Sequence, residues 1–110
     1  MKCLKFFNPL PAMILNGEKT ITWRINDEKD IVVGDVLSFC NRDGQEFAQA
    51  RVVRVWEREF GKFTDEEKSG HERFASDEEM YETYSRYYNM KVTPKTMVKV
   101  IKFELLKSNS

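Results

Sequence analysis

One histidine, two cysteines, no net charge and no long apolar run are the shortages that narrow what this chain can do. The single histidine is His71, and the cysteines are Cys3 and Cys40, far apart in the sequence. One His and two unclustered Cys do not make a zinc site, so hydrolytic chemistry would have to proceed without a zinc-bound water. No metal and no cofactor are expected. Each cysteine sits in an apolar stretch, which suits buried thiols in a reducing compartment; a disulfide is open to them, but no framework demands one. No apolar run approaches the roughly 18 residues of a membrane span. The opening "MKCLKFFNPLP" is interrupted by prolines too soon for a signal peptide. The expectation is a cytoplasmic protein, monomeric and with no membrane partner.

The charge balance, 18 Lys and Arg against 18 Asp and Glu, lacks the basic excess of a nonspecific nucleic-acid binder. Its distribution is uneven. Residues 57–82 hold ten acids, whereas residues 1–24 carry Lys2, Lys5, Lys19 and Arg24 and residues 91–110 carry five lysines. A local basic face is therefore still available.

What is present is enough for one domain, residues 1–110, with 41% hydrophobic residues to form its core. "KCLKFF" reads as a first strand. In "NPLPAMILNG", Asn8 suits a helix cap, Pro9 the first position and Gly17 the residue past the end. "TITWR", "VLSFC" and "EFAQARVVRVWERE" read as strands, with "NRDG" as the hairpin turn between the last two. Thr64-Asp65-Glu66-Glu67 and Ser76-Asp77-Glu78-Glu79 both match a capping box and start two helices separated by Gly70. The second helix places Met80, Tyr84, Tyr87 and Tyr88 along one side, with Tyr81 beside them, read as a packing face. "TMVKVIKFELL" closes the chain as a strand whose apolar parity changes between Val100 and Ile101. A β-bulge there, or a barrel corner, would account for it. The sum is an α+β fold: a small, partly closed β-barrel of five or six mostly antiparallel strands with two or three inserted helices.

The stretch "GEKTITWR", residues 17–24, holds the densest chemistry. As a strand it turns Ile21 and Trp23 to the core and Thr20, Thr22 and Arg24 to solvent or a cleft. Lys19 follows the turn at Gly17, so both directions are open to its amine. Two readings stand: a half-exposed edge strand, or the floor of a site that holds an anion or a polar ring. Trp23 reads as core, Trp56 as core or barrel rim, and His71 as a solvated loop histidine.

The same eight residues match G-x-K-x-x-T-x-R through Gly17, Lys19, Thr22 and Arg24, and the chain resembles the ASCH domain family. "VGDVLSF", the capped helix with Phe74, Ser76, Glu78, Glu79 and Met80, and the final "VKVIKFEL" extend the resemblance over nearly the whole chain. It implies a PUA-like barrel with a cleft at the signature. Some small members are amidohydrolases that deacetylate N4-acetylcytidine; others are RNA-binding or coactivator-associated modules. The resemblance implies Lys19, Thr22 and Glu72 as catalytic residues, with Gly17, Thr20 and Arg24 as ligand-binding residues and a modified nucleoside or RNA as partner. Such chemistry requires a nucleophile, a base and a group to hold the oxyanion. Thr22 would attack, Lys19 would take its proton, Arg24 would hold substrate or oxyanion and Glu72 would handle protons. Burial and Arg24 would depress Lys19, while a nearby Glu72 would raise it. The alternatives are a noncatalytic RNA-binding module of PUA-like type and a protein-interaction module using the tyrosine stripe.

Overall fold

The computed structural model describes residues 1–106. Lys107, one of the five C-terminal lysines, lies outside them. Five strands form one mixed sheet in the order β1-β3-β4-β5-β2: β1 Lys2–Lys5, β2 Ile21–Arg24, β3 Val36–Cys40, β4 Glu46–Glu59 and β5 Met97–Leu105. Only β1 and β3 run parallel. The sheet curls into a half-barrel in which β1 and β2 remain edges, joined by the short helix α1, Leu10–Leu15. Between β4 and β5 come a single 3-10 turn at Phe60–Lys62, absent from the sequence reading, and the helices α2, Asp65–Lys68, and α3, Asp77–Tyr88.

Both faces of the sheet are covered, by different material. Leu4, Leu37, Phe39, Ala50, Val52, Ile101 and Phe103 form one core with Ile14 of α1. Ile21, Trp23, Val98 and Val100 form a second core with Phe60 and with Met80 and Tyr84 of α3. This accounts for the parity change in β5. The strand itself is regular: Val98 and Val100 meet the α3 side, and Ile101 and Phe103 meet the α1 side. The bulge lies instead in β4, where Val52 pairs with Phe103 and Arg54 with Lys102, leaving Val53 as the extra residue. That extra residue reverses the parity of β4, so Val55 lies opposite Ile101 and Trp56 opposite Val100.

Local chemistry explains most element ends. Thr64 and Glu67 complete a reciprocal capping box on α2, and the Ser76 hydroxyl accepts from Glu79 N–H on α3. Asn8 does not cap α1; Pro9 occupies that position with no side-chain hydrogen bond, and Pro11 at the second helical position needs no N–H partner. Within α3, Met80 and Tyr84 are buried as a packing face requires, but Tyr87 is 68% exposed.

The segment after α2 determines where the site forms. Gly70, at φ +80°, turns its carbonyl onto the start of β2, where it accepts from Thr20 N–H at 2.7 Å and Ile21 N–H at 3.1 Å. A Cβ on Gly70 would fall 2.2 Å from Thr20 Oγ1, whereas one on Gly44, at φ +83°, would meet open space. Gly44→Ala is therefore expected to cost about 1–2 kcal/mol from backbone strain alone. Gly70→Ala should cost clearly more, because the docked loop must also move. Urea denaturation of the two variants checks this; equal losses would contradict it.

Candidate active site

Two turns aim the Lys19 amine. Gly17 adopts φ +86° past the end of α1, and Lys19 N–H returns to the Met13 carbonyl at 3.1 Å. The side chain then runs inward and is 1% exposed. Its ammonium donates to the Ile21 carbonyl at 2.8 Å and to Glu72 Oε1 at 2.6 Å. The docked Gly70 loop delivers that carboxylate from 53 residues further along the chain. Burial lowers the pKa of Lys19, and the charge and hydrogen bond of Glu72 restore part of it.

Glu72 is held from two sides. Burial alone would raise its pKa, but the hydrogen bond and charge of His71 and the Lys19 ammonium outweigh it and set the carboxyl at about 2. His71 is not a solvated loop residue. It is 5% exposed and lies flat on the Trp23 indole, with ring centroids 3.5 Å apart and planes 6° apart. Its Nδ1 lies 2.9 Å from Glu72 Oε1 and its Nε2 3.2 Å from the Tyr84 hydroxyl. Burial lowers the His71 pKa and raises that of Tyr84 well above the ordinary value. At neutral pH the consistent arrangement is Tyr84 O–H donating to Nε2 of a neutral ring, with Nδ1–H donating to the Glu72 backbone carbonyl at 2.9 Å, beside the carboxylate. No motif flags His71 in the sequence; its adjacency to Glu72 was the only signal.

A cavity of about 200 Å³ opens beside this pair, with Lys19, Thr22, Arg24, His71 and Glu72 in its wall. Thr22 is 8% exposed and its hydroxyl makes no hydrogen bond among the described residues, Lys19 included. Arg24 Nε is buried without a partner among them. Phe7 and Tyr87, 53% and 68% exposed, flank the opening. Gly17 and Thr20 are not in this wall. They line a separate groove with Asn16 and Glu104, because Thr20 is turned against Gly70. A groove of about 640 Å³ lies on the other side of Trp23 and Glu72, under Phe74 and Met80.

A second buried carboxylate also escaped the sequence reading. Glu67, 0% exposed, accepts from Thr64 N–H, Thr64 Oγ1–H, Trp56 Nε1–H and Arg58, while its backbone carbonyl accepts from Trp23 Nε1–H. Trp23 is thus core, as expected, and also the plate on which His71 rests.

Because the folded pKa of Glu72 lies below its ordinary 4.5, the stabilisation it brings is complete above roughly pH 5 and is lost as pH falls toward about 2. Wild-type stability should therefore drop more steeply over that window than that of Glu72→Gln, by as much as about 3 kcal/mol. Urea denaturation at a series of pH values measures both slopes, and parallel curves would remove Glu72 from the linkage.

No family model matches the chain, and no curated protein does. Solved structures do. The chain is similar to the ASCH domain from Lactobacillus crispatus, at 13% identity and TM-score 0.71, over 94% of this chain and 79% of that one. It is similar to a Pyrococcus furiosus protein solved by NMR, at 26% identity and TM-score 0.68, over 97% and 98%. It is similar also to ZmASCH from Zymomonas mobilis, at 12% identity and TM-score 0.64, over 93% and 66%. These likenesses, each over more than nine-tenths of this chain, show that it has the ASCH-domain fold.

Proposed function

We propose that this chain is an amidohydrolase that removes the acyl group from an N4-acylated cytidine, free or in RNA. One observation carries the reading: a lysine 1% exposed is held 2.6 Å from a carboxylate in the wall of a cavity that also holds an unengaged threonine hydroxyl. A buried ion pair is a poor device for stability. One that lines a cavity, with its lysine depressed by burial, suits proton transfer.

In this reading Thr22 Oγ attacks the acyl carbon and its proton passes to the neutral form of Lys19. Substrate binding closes the gap between hydroxyl and amine, which the unliganded cavity leaves unbonded. Arg24 faces the developing oxyanion. Lys19 then returns the proton to the departing N4 amine, and the threonine ester is hydrolysed by water activated by the same amine. Glu72, ionised and braced by His71, orients Lys19 throughout. The exposed Phe7 and Tyr87 at the mouth favour a second reading, in which the cleft stacks a base without turning it over.

Incubation with N4-acetylcytidine, followed by absorbance as cytidine forms, separates the two. Turnover is expected in wild type, with losses of roughly 10²–10⁴-fold in Lys19→Ala and Thr22→Ala and partial retention in Thr22→Ser. Undiminished turnover in Thr22→Ala would end the nucleophile assignment. No turnover, with salt-dependent RNA binding weakened in Tyr87→Ala, would establish the binding module.

A further inference from the structure

Cys3 and Cys40 meet on the parallel β1–β3 pair, where Cys3 aligns with Ser38 and Lys5 with Cys40. They share the sheet face opposite Leu4, Leu37 and Phe39, which point into the core. Their sulfurs lie 2.9 Å apart and both are free thiols. A disulfide bond is about 2.05 Å long, so a further approach of about 1 Å would close it. Cys3 is partly exposed while Cys40 is buried, so an oxidant reaches Cys3 first. β1 is a four-residue edge strand whose one strand partner among the described residues is β3. Its last residue, Lys5, and the Phe6 and Phe7 that follow belong to the cavity wall.

We propose that Cys3 and Cys40 are a redox modification site, at which a small disulfide such as oxidised glutathione converts the pair to an intramolecular disulfide that fastens β1 to β3. The Cys3 thiolate attacks one glutathione sulfur, the glutathione S–S bond breaks, and the first glutathione leaves as a thiolate that takes a proton from solvent. Cys40 then loses its proton and attacks the Cys3 sulfur, and the mixed disulfide breaks to release the second glutathione. Two protein thiols are oxidised and one glutathione disulfide is reduced to two thiols. The hydrogen bond to Cys40, with burial, raises the Cys3 pKa, so exchange is slow at neutral pH and quickens with alkalinity.

The wild-type chain is equilibrated in glutathione redox buffers, then assayed by thiol titration, intact mass and thermal melting. The expected result is loss of both thiols together, a mass lower by two hydrogens, no change in oligomeric state, and a Tm higher by roughly 10 °C that reverts on reduction. Cys40→Ser should stop at a glutathione adduct on Cys3. Two titratable thiols under oxidising buffer, a lasting glutathione adduct on wild type, or a covalent dimer would each overturn the proposal. None of these readouts depends on amidohydrolase activity.

Discussion

The contact between Lys19 and Glu72 is the constraint around which this small fold is arranged. A lysine 1% exposed is costly unless paired, and its partner comes from a loop 53 residues away. The contact therefore requires the segment after α2 to return to β2. It does so through the Gly70 carbonyl, which accepts two backbone N–H groups at the start of that strand. The same docking lays His71 on Trp23 and brings its ring nitrogen to Glu72. Strand, loop and helix α3 are coupled through one chain of polar contacts running Tyr84–His71–Glu72–Lys19, with His71 Nδ1 beside both the Glu72 carbonyl and its carboxylate.

The two buried carboxylates show how similar residues acquire different duties. Glu67 is fully enclosed, and donors from Thr64, Trp56 and Arg58 saturate it. Its lone pairs have nowhere else to go, so it serves as a joint between α2 and β4. Glu72 keeps 25% of its side chain exposed, and that fraction faces cavities on both sides. Each carboxyl is held below its ordinary pKa by hydrogen bonds that overcome burial, but only Glu72 is open to a ligand.

Strand and helix positions were legible because the local chemistry is consistent: alternation in β4, the turn at Asn41–Gly44, and hydroxyl caps at Thr64 and Ser76. The parity change in β5 was legible too, but its cause was not. Pairing register is a property of two strands, and the bulge sits in the partner. The signature pointed to Lys19, Thr22 and Arg24, all of which line one cavity. Thr20 shares their alternation but abuts Gly70, since a contact made by a distant loop leaves no periodic trace. His71 was misplaced for the same reason: a loop position next to Gly70 suggests solvent until the Trp23 ring beneath it is known.

The buried place of His71 bears on what holds the Lys19–Glu72 pair in position. Lys19 alone could swing its amine, because its side chain is long and its flexible stem has many rotamers. Two fixed acceptors, the Ile21 carbonyl and Glu72, remove that freedom. Glu72 would be equally free without His71, and His71 without Trp23 and the Tyr84 hydroxyl. The series ends in Trp23, 4% exposed and tied by its own N–H to the Glu67 carbonyl. The lysine and carboxylate at the cavity are thus braced, through His71, by a core aromatic. For this reason the apolar face of "TITWR" matters to the site as much as the polar one.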